Sequence, residues 1–244
     1  MFYGYGILNN HVPTLKATAM RVGAAISSLL TGLYAVYKAE SNANDSLGAY
    51  NGTAVGGLTY TTGKSGNAFT FNGTSAYVEL PNNMFNSFTG DFSISLWFYS
   101  PSFSGFKTLI ATDFFNGATS FGWNLYLNGS TLVFDIYNGG DVILNSSGSI
   151  PINTWTNVVV TRKATTSTKI YVNGTLNASN TSIINPAYNT TQYCTIGNIK
   201  YSASGLTYYY NGSIDEANIW AKELTATDVT ALYNSGAGKF YPTF

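Results

Sequence analysis

Charge is scarce in this chain. Of 244 residues, 9% are charged, with 11 bases set against 11 acids and a net charge of zero. So thinly charged a surface has no basic field to collect phosphates, which excludes nucleic acid as a partner class. Cysteine occurs once, at Cys194, so neither an intrachain disulfide nor a cysteine metal cluster can form, and the expected role is that of a small buried apolar side chain. Histidine also occurs once, at His11. A Ser-His-Asp or Cys-His engine inside the folded domain would lack its base. The most apolar stretch, residues 22–37, is interrupted by Gly, Ser and Thr. It is too broken to span a bilayer, and its polar leader is too long for a secretory signal.

What is plentiful is aromatic and hydroxyl chemistry. Hydrophobic residues make up 45% of the chain and aromatics 16%, with 19 tyrosines among them. That is enough to bury a sizeable core, and the length suits one large all-β domain with an additional arm.

The chain is organised around residues 211–236. Ile214, Ala217 and Ile219 alternate with polar neighbours up to Trp220, which predicts a strand. Thr225 then offers an N-cap hydroxyl with Asp228 three residues on. Leu224, Val229, Leu232 and Tyr233 recur at helical spacing, and Gly236 is the expected stop. Upstream, Phe92, Ile94, Leu96 and Phe98 alternate with Ser93, Ser95, Trp97 and Tyr99, a central strand with one face in the core. Asn138-Gly139-Gly140 and Asn173-Gly174 mark hairpins, the general reading of the recurrent Asn-Gly pairs.

Residues 1–31 differ from the rest. Phe2, Tyr3 and Tyr5 stand among glycines, and Leu15, Val22, Ile26 and Leu29 fall on one face of a predicted helix that begins after Pro13 and ends near Gly32. These residues form an expected anchoring arm that docks on a partner subunit. The expected division is an arm over 1–31, a sandwich over 32–236 and a tail over 237–244.

Several motifs occur in family order. An apolar strand precedes Glu40 and the Asn-x-x-Asp-Ser-x-Gly-like run through Asp45; GKSGNAFTFNGTSAYVEL follows over residues 63–80; Trp155 opens a strand, Tyr171-Val172-Asn173-Gly174 closes another, and Ser213-Ile214-Asp215-Glu216 precedes the helix. On these the chain resembles the laminin-G-like, concanavalin A-like jelly rolls from about residue 32 to 236. The resemblance departs at Asn72, where aspartate is usual. It implies an all-β fold: a two-sheet antiparallel jelly-roll sandwich with one short C-terminal helix. By position it also implies a structural Ca2+ held by Asp215 with Glu40 or Asp45; the alternative is that Asp45 caps its own turn and Asp215 accepts backbone donors.

Glycan recognition needs aromatic faces beside amides and hydroxyls. Tyr208, Tyr209 and Tyr210, Trp123 with Tyr126, and Phe103 with Phe106 are candidates in or beside loops, for a sugar or a protein partner. The Glu-x-Asp-x-x-Glu strand of related glucanases is absent, and no catalytic residue is expected. The expected function is a non-catalytic module on the surface of a phage or virus particle, as decoration protein, head fibre or tail-fibre component. Its arm would hold it to other subunits of a homo-oligomeric assembly, and glycans would be its ligands. A secreted or cell-surface bacterial adhesin is the alternative, and a divergent glycoside hydrolase or lyase the second.

Overall fold

The structure, a computed structural model, describes residues 27–82, 84–85, 88, 90–115, 120–182, 184–188, 193–201 and 205–244. Its strands in chain order are β1 (Leu33–Tyr37), β2 (Thr53–Val55), β3 (Thr59–Thr62), β4 (Asn67–Asn72), β5 (Tyr77–Leu80) and β6 (Phe92–Tyr99). Then come β7 (Phe106–Phe115), β8 (Ser120–Asn128), β9 (Thr131–Asn138), β10 (Asp141–Asn145), β11 (Thr156–Lys163) and β12 (Ser167–Val172). The last are β13 (Thr175–Asn180), β14 (Tyr193–Ile196), β15 (Ile199–Tyr201), β16 (Gly205–Thr207) and β17 (Asn211–Trp220), followed by the helix α1 (Ala226–Tyr233).

They form two antiparallel sheets and a small β15–β16 hairpin. The first sheet runs β13-β12-β11-β6-β17-β4-β3, with β1 also on β17; the second runs β10-β9-β8-β7-β14-β5-β2. Inward residues follow the period of two. Phe92, Ile94, Leu96, Phe98, Val158, Val160, Ile214 and Ile219 meet Ile110, Trp123, Leu125, Leu127, Phe134, Ile136 and Ile196 in one core. This is the jelly-roll sandwich that the motifs predict. Asn173 and Gly174 both take positive φ, +49° and +75°, as a two-residue hairpin turn with matching twist requires. Cys194 is buried, and burial pushes its thiol up to about 12.

The outer face of the first sheet is not solvent. Leu29, Val159, Tyr171, Trp220, Leu224, Val229, Leu232 and Phe244 make a second core beneath α1. Ser93, Ser95 and Trp97 are accordingly buried too, so β6 has both faces covered. The helix is capped as expected: Thr225 Oγ1 accepts from Asp228 N and Thr225 N donates to the Asp228 carboxylate, at 3.2 and 3.0 Å. Its end is set by Asn234 in the left-handed region (φ +48°) rather than by Gly236, because a short polar side chain tolerates that conformation.

The arm needs one correction at its C-terminal end. Residues 28–32 form turns, not helix, with Leu30 N donating to Ser27 O and Thr31 N to Ser28 O. Leu29 faces its own domain, and its carbonyl accepts from Trp220 Nε1 at 2.7 Å. Ser28 Oγ donates to Asp228, and Lys222 Nζ donates to Ser28 O at 2.5 Å. Phe2, Tyr3, Tyr5, Leu15, Val22 and Ile26, with the rest of the predicted arm helix, lie outside the described residues. No helix among the described residues is long and apolar enough to cross a membrane.

Candidate functional site

The outer face of the second sheet carries a groove. Alternation along β8 turns Trp123, Leu125 and Leu127 inward and leaves Asn124 and Tyr126 outward. Asn124 pairs with Asp135 on β9, and Gly122 pairs with Tyr137, so all share that face. Phe106 opens β7, with Thr108 opposite Tyr126. Thr108 N donates to Tyr208 O at 3.0 Å, which brings the Tyr208 ring to 5.2 Å from Phe106; Phe106 lies 5.8 Å from Tyr126. Phe106, Asn124, Tyr126, Tyr137 and Tyr208 thereby line a cavity of about 190 Å³.

Two features set this groove apart from a packed surface. Phe106 and Tyr208 are 42% and 40% exposed although their rings adjoin. Tyr208 also holds φ at +61°, a left-handed conformation that costs a bulky residue about 1–2 kcal/mol. Asn124, which lines the groove, and its cross-strand partner Asp135 are each only 3% exposed, and the Oδ1 atom of each has no hydrogen-bond partner among the described residues. Burial pushes the Asp135 carboxyl up to about 7; a bond from the Tyr137 side chain opposes this, while Asp141 adds to it. Burial likewise pushes the Tyr126 phenol up to about 12, helped by Asp135 and Asp141.

The expected contact aromatics divide. Tyr208 belongs to the groove, and Tyr209 is half-buried against Tyr77, 6.5 Å between rings. Tyr210 and Trp123 are corrections, for both are fully buried. The Tyr210 hydroxyl donates to Tyr99 O at 3.0 Å, and Trp123 stacks on Phe92 at 5.9 Å with Phe85 edge-on at 5.1 Å. Asn124, Asp135 and Tyr137 were not expected. Their signal is the alternation through residues 121–127, which places Trp123 in phase with the leucines and Asn124 and Tyr126 out of phase.

A second polar cluster gathers the acids expected at a metal. β17 changes partner from β4 to β1 at a bulge between Asp215 and Asn218, and Glu216 adopts φ +49° there. Asp215 accepts from Ser65 N at 2.9 Å and Glu216 N at 2.8 Å, and Glu40 accepts from Asn67 N at 3.1 Å. The turn at Gly63 to Gly66 is laid against these two carboxylates so closely that a Cβ on Gly66 would stand 2.0 Å from Glu40 Oε1. Glu216 is buried, and both of its carboxylate oxygens lack partners among the described residues. Burial pushes Asp215 up to about 7, against its backbone bonds; burial and then Asp215 push Glu216 up to about 8, against Lys38.

Asp45 does not join them. Its oxygens accept from Val36 N and Leu47 N (2.9 and 3.0 Å) and from Ala49 N and Tyr50 N (both 3.1 Å), so it ties its own loop. Among the described residues no group of three or more His, Cys, Asp or Glu side chains forms a metal-holding set. Asp215 and Glu40 both lie against the Gly63 to Gly66 turn, and a hard cation there would have to draw most of its about six to eight oxygens from backbone carbonyls.

The fold is a two-sheet antiparallel jelly-roll sandwich with a groove on the outer face of its second sheet. The chain belongs to the concanavalin A-like lectin/glucanase superfamily, whose laminin-G-like family model matches residues 72–230. Among solved structures it is similar to domain 4 of AbnA, a GH43 extracellular arabinanase from Geobacillus stearothermophilus, in complex with arabinotriose. The two share 20% identity at a TM-score of 0.70, over 85% of this chain and 98% of that one. It is also similar to the binding domain of botulinum neurotoxin DC in complex with SialylT (21% identity, TM-score 0.63) and to that of serotype C1 (21%, TM-score 0.65). Each covers 84% of this chain, which spans 52% of either toxin domain. Comparison with curated proteins gave no match.

Proposed function

We propose that this is a non-catalytic glycan-binding module whose groove at Phe106, Tyr126, Tyr137 and Tyr208 holds one sugar ring. The observation that carries this reading is the pairing of exposed aromatic faces with buried, unsatisfied acceptors on one side of a sheet. Aromatic rings cover the apolar face of a sugar while the acceptors take its hydroxyl protons, and an unmatched buried acceptor costs about 1–3 kcal/mol until a ligand satisfies it. The similar arabinanase domain bound to arabinotriose supports the same reading. Display on a virion surface, held by the residues before Ser27, is the proposed setting; its support is the hydroxyl-rich, weakly charged composition. A secreted or cell-surface adhesin would use the same groove.

A calcium ion in this reading is structural. Asp215 and Glu40, with backbone carbonyls of the turn between them, would hold it, and it would supply positive charge beside these carboxylates. Isothermal titration of the purified chain with arabinotriose and a glycan array tests the module. Saturable binding that is lost in Tyr126→Ala is expected; an array with no bound glycan refutes it.

A further inference from the structure

The geometry points to a selective groove, one that takes a neutral sugar ring through hydroxyl donors and turns away glycans bearing carboxylates. This rests on the glycan reading and adds the chemistry of the ligand. Asn124 lines the groove and Asp135 is its cross-strand partner; the Oδ1 atom of each is an acceptor buried just beneath the groove and lacks a partner among the described residues. A group that satisfies them must donate. Sugar hydroxyls do so, and a carboxylate cannot.

The local field acts in the same direction. None of the described residues lining the groove is a lysine or arginine. Asp141 is paired with Tyr137 across β9 and β10, and its charge is felt at both Asp135 and Tyr126. An anionic ligand would therefore meet like charge where water is largely excluded, the arrangement by which interfaces reject wrong partners. Size restricts the occupant further. At about 190 Å³ the cavity is well below the roughly 300–1,000 Å³ of sites for drug-sized ligands, so it suits one ring and not a chain.

The test titrates the full chain at pH 8 with arabinotriose and cellotriose as neutral probes, and with trigalacturonate and sialyllactose as anionic ones. A neutral trisaccharide should bind at least about tenfold more tightly than either anion. Asp135→Asn should narrow that ratio to within about threefold while weakening neutral binding, and Asn124→Asp, which adds a carboxylate, should widen it. Anionic probes that bind as tightly as neutral ones overturn the selectivity and leave the glycan reading intact. A ratio unmoved in both variants, each melting as the parent does, overturns the assignment to Asn124 and Asp135. Binding to none of the four probes or to any arrayed glycan overturns the glycan reading itself.

Discussion

Asn124 on β8 and Asp135 on β9 face one another across the strand pair, and each buries an oxygen that no described residue satisfies. Most buried polar atoms in proteins find partners. An adjacent pair that does not, beneath aromatic rings left open to solvent, is the feature by which this sheet face differs from a surface that merely solvates.

Tyr208 should separate binding from stability. Its positive φ is strained, and glycine removes the strain along with the ring. Tyr208→Gly is expected to melt at the parent's temperature or above it while its affinity for a neutral trisaccharide falls about tenfold. Calorimetric melting and titration of the same preparation check both halves.

Asp45 should matter to folding whether or not calcium is present. Asp45→Ala leaves the amides of Val36, Leu47, Ala49 and Tyr50 without their acceptor, at an expected cost of about 2–4 kcal/mol in urea denaturation. The deficit should be the same in calcium and in EGTA. A deficit that disappears in EGTA would place Asp45 among the cation's ligands.

Leu29 gives a sharp answer about where the domain begins. It is buried with Trp220, Leu224 and Phe244, so Leu29→Ala should cost about 2–4 kcal/mol in the isolated chain. Were it a face reserved for a partner subunit, the loss would be within about 0.5 kcal/mol.

Stability should fall as pH rises through the neutral range in calcium-free buffer. Asp135, Asp215 and Glu216 have carboxyls raised to about 7, 7 and 8 from ordinary values near 4, so the folded chain holds more protons than the unfolded one between about pH 4 and 8. Their contribution is complete below pH 4 and is lost as pH climbs through the raised values. Asp91 and Asp228 act oppositely. Burial raises each, but it is outweighed by the sum of several bonds and charges, from Lys163, Ala164 and Arg162 at Asp91 and from Ser28, Thr225 and Lys222 at Asp228, so their contribution is lost only in stronger acid. Melting temperature in EGTA is thus expected to peak near pH 4–5. Added calcium should raise it most at pH 8, where the carboxyls are ionised, and a flat response to calcium there would remove the cation.

Much of the architecture was legible because it is local. Alternation located β6 and β17, Asn-Gly pairs located hairpins, and the Thr225–Asp228 pair located the start of α1. The groove was less so, because a face is assembled from strands brought together by long-range pairing. Three consecutive tyrosines show the difficulty: Tyr208 turns outward on a positive φ, Tyr209 leans on Tyr77, and Tyr210 enters the core to reach Tyr99 O. Composition is identical at the three positions; only the backbone distinguishes them. Glu216 escaped a two-residue alternation for a similar reason, since the bulge shifts the phase at that residue.

The position of β17 bears on how this protein is made. It lies inside the eight-stranded sheet, between β6 on one side and β4 and β1 on the other, yet it is the last strand to leave the ribosome. Until about residue 220 emerges, β6 and β4 present open edges with no strand between them. The first sheet therefore cannot close without β17, and a chain truncated before Asn211 would leave two interior strands with unpaired edges.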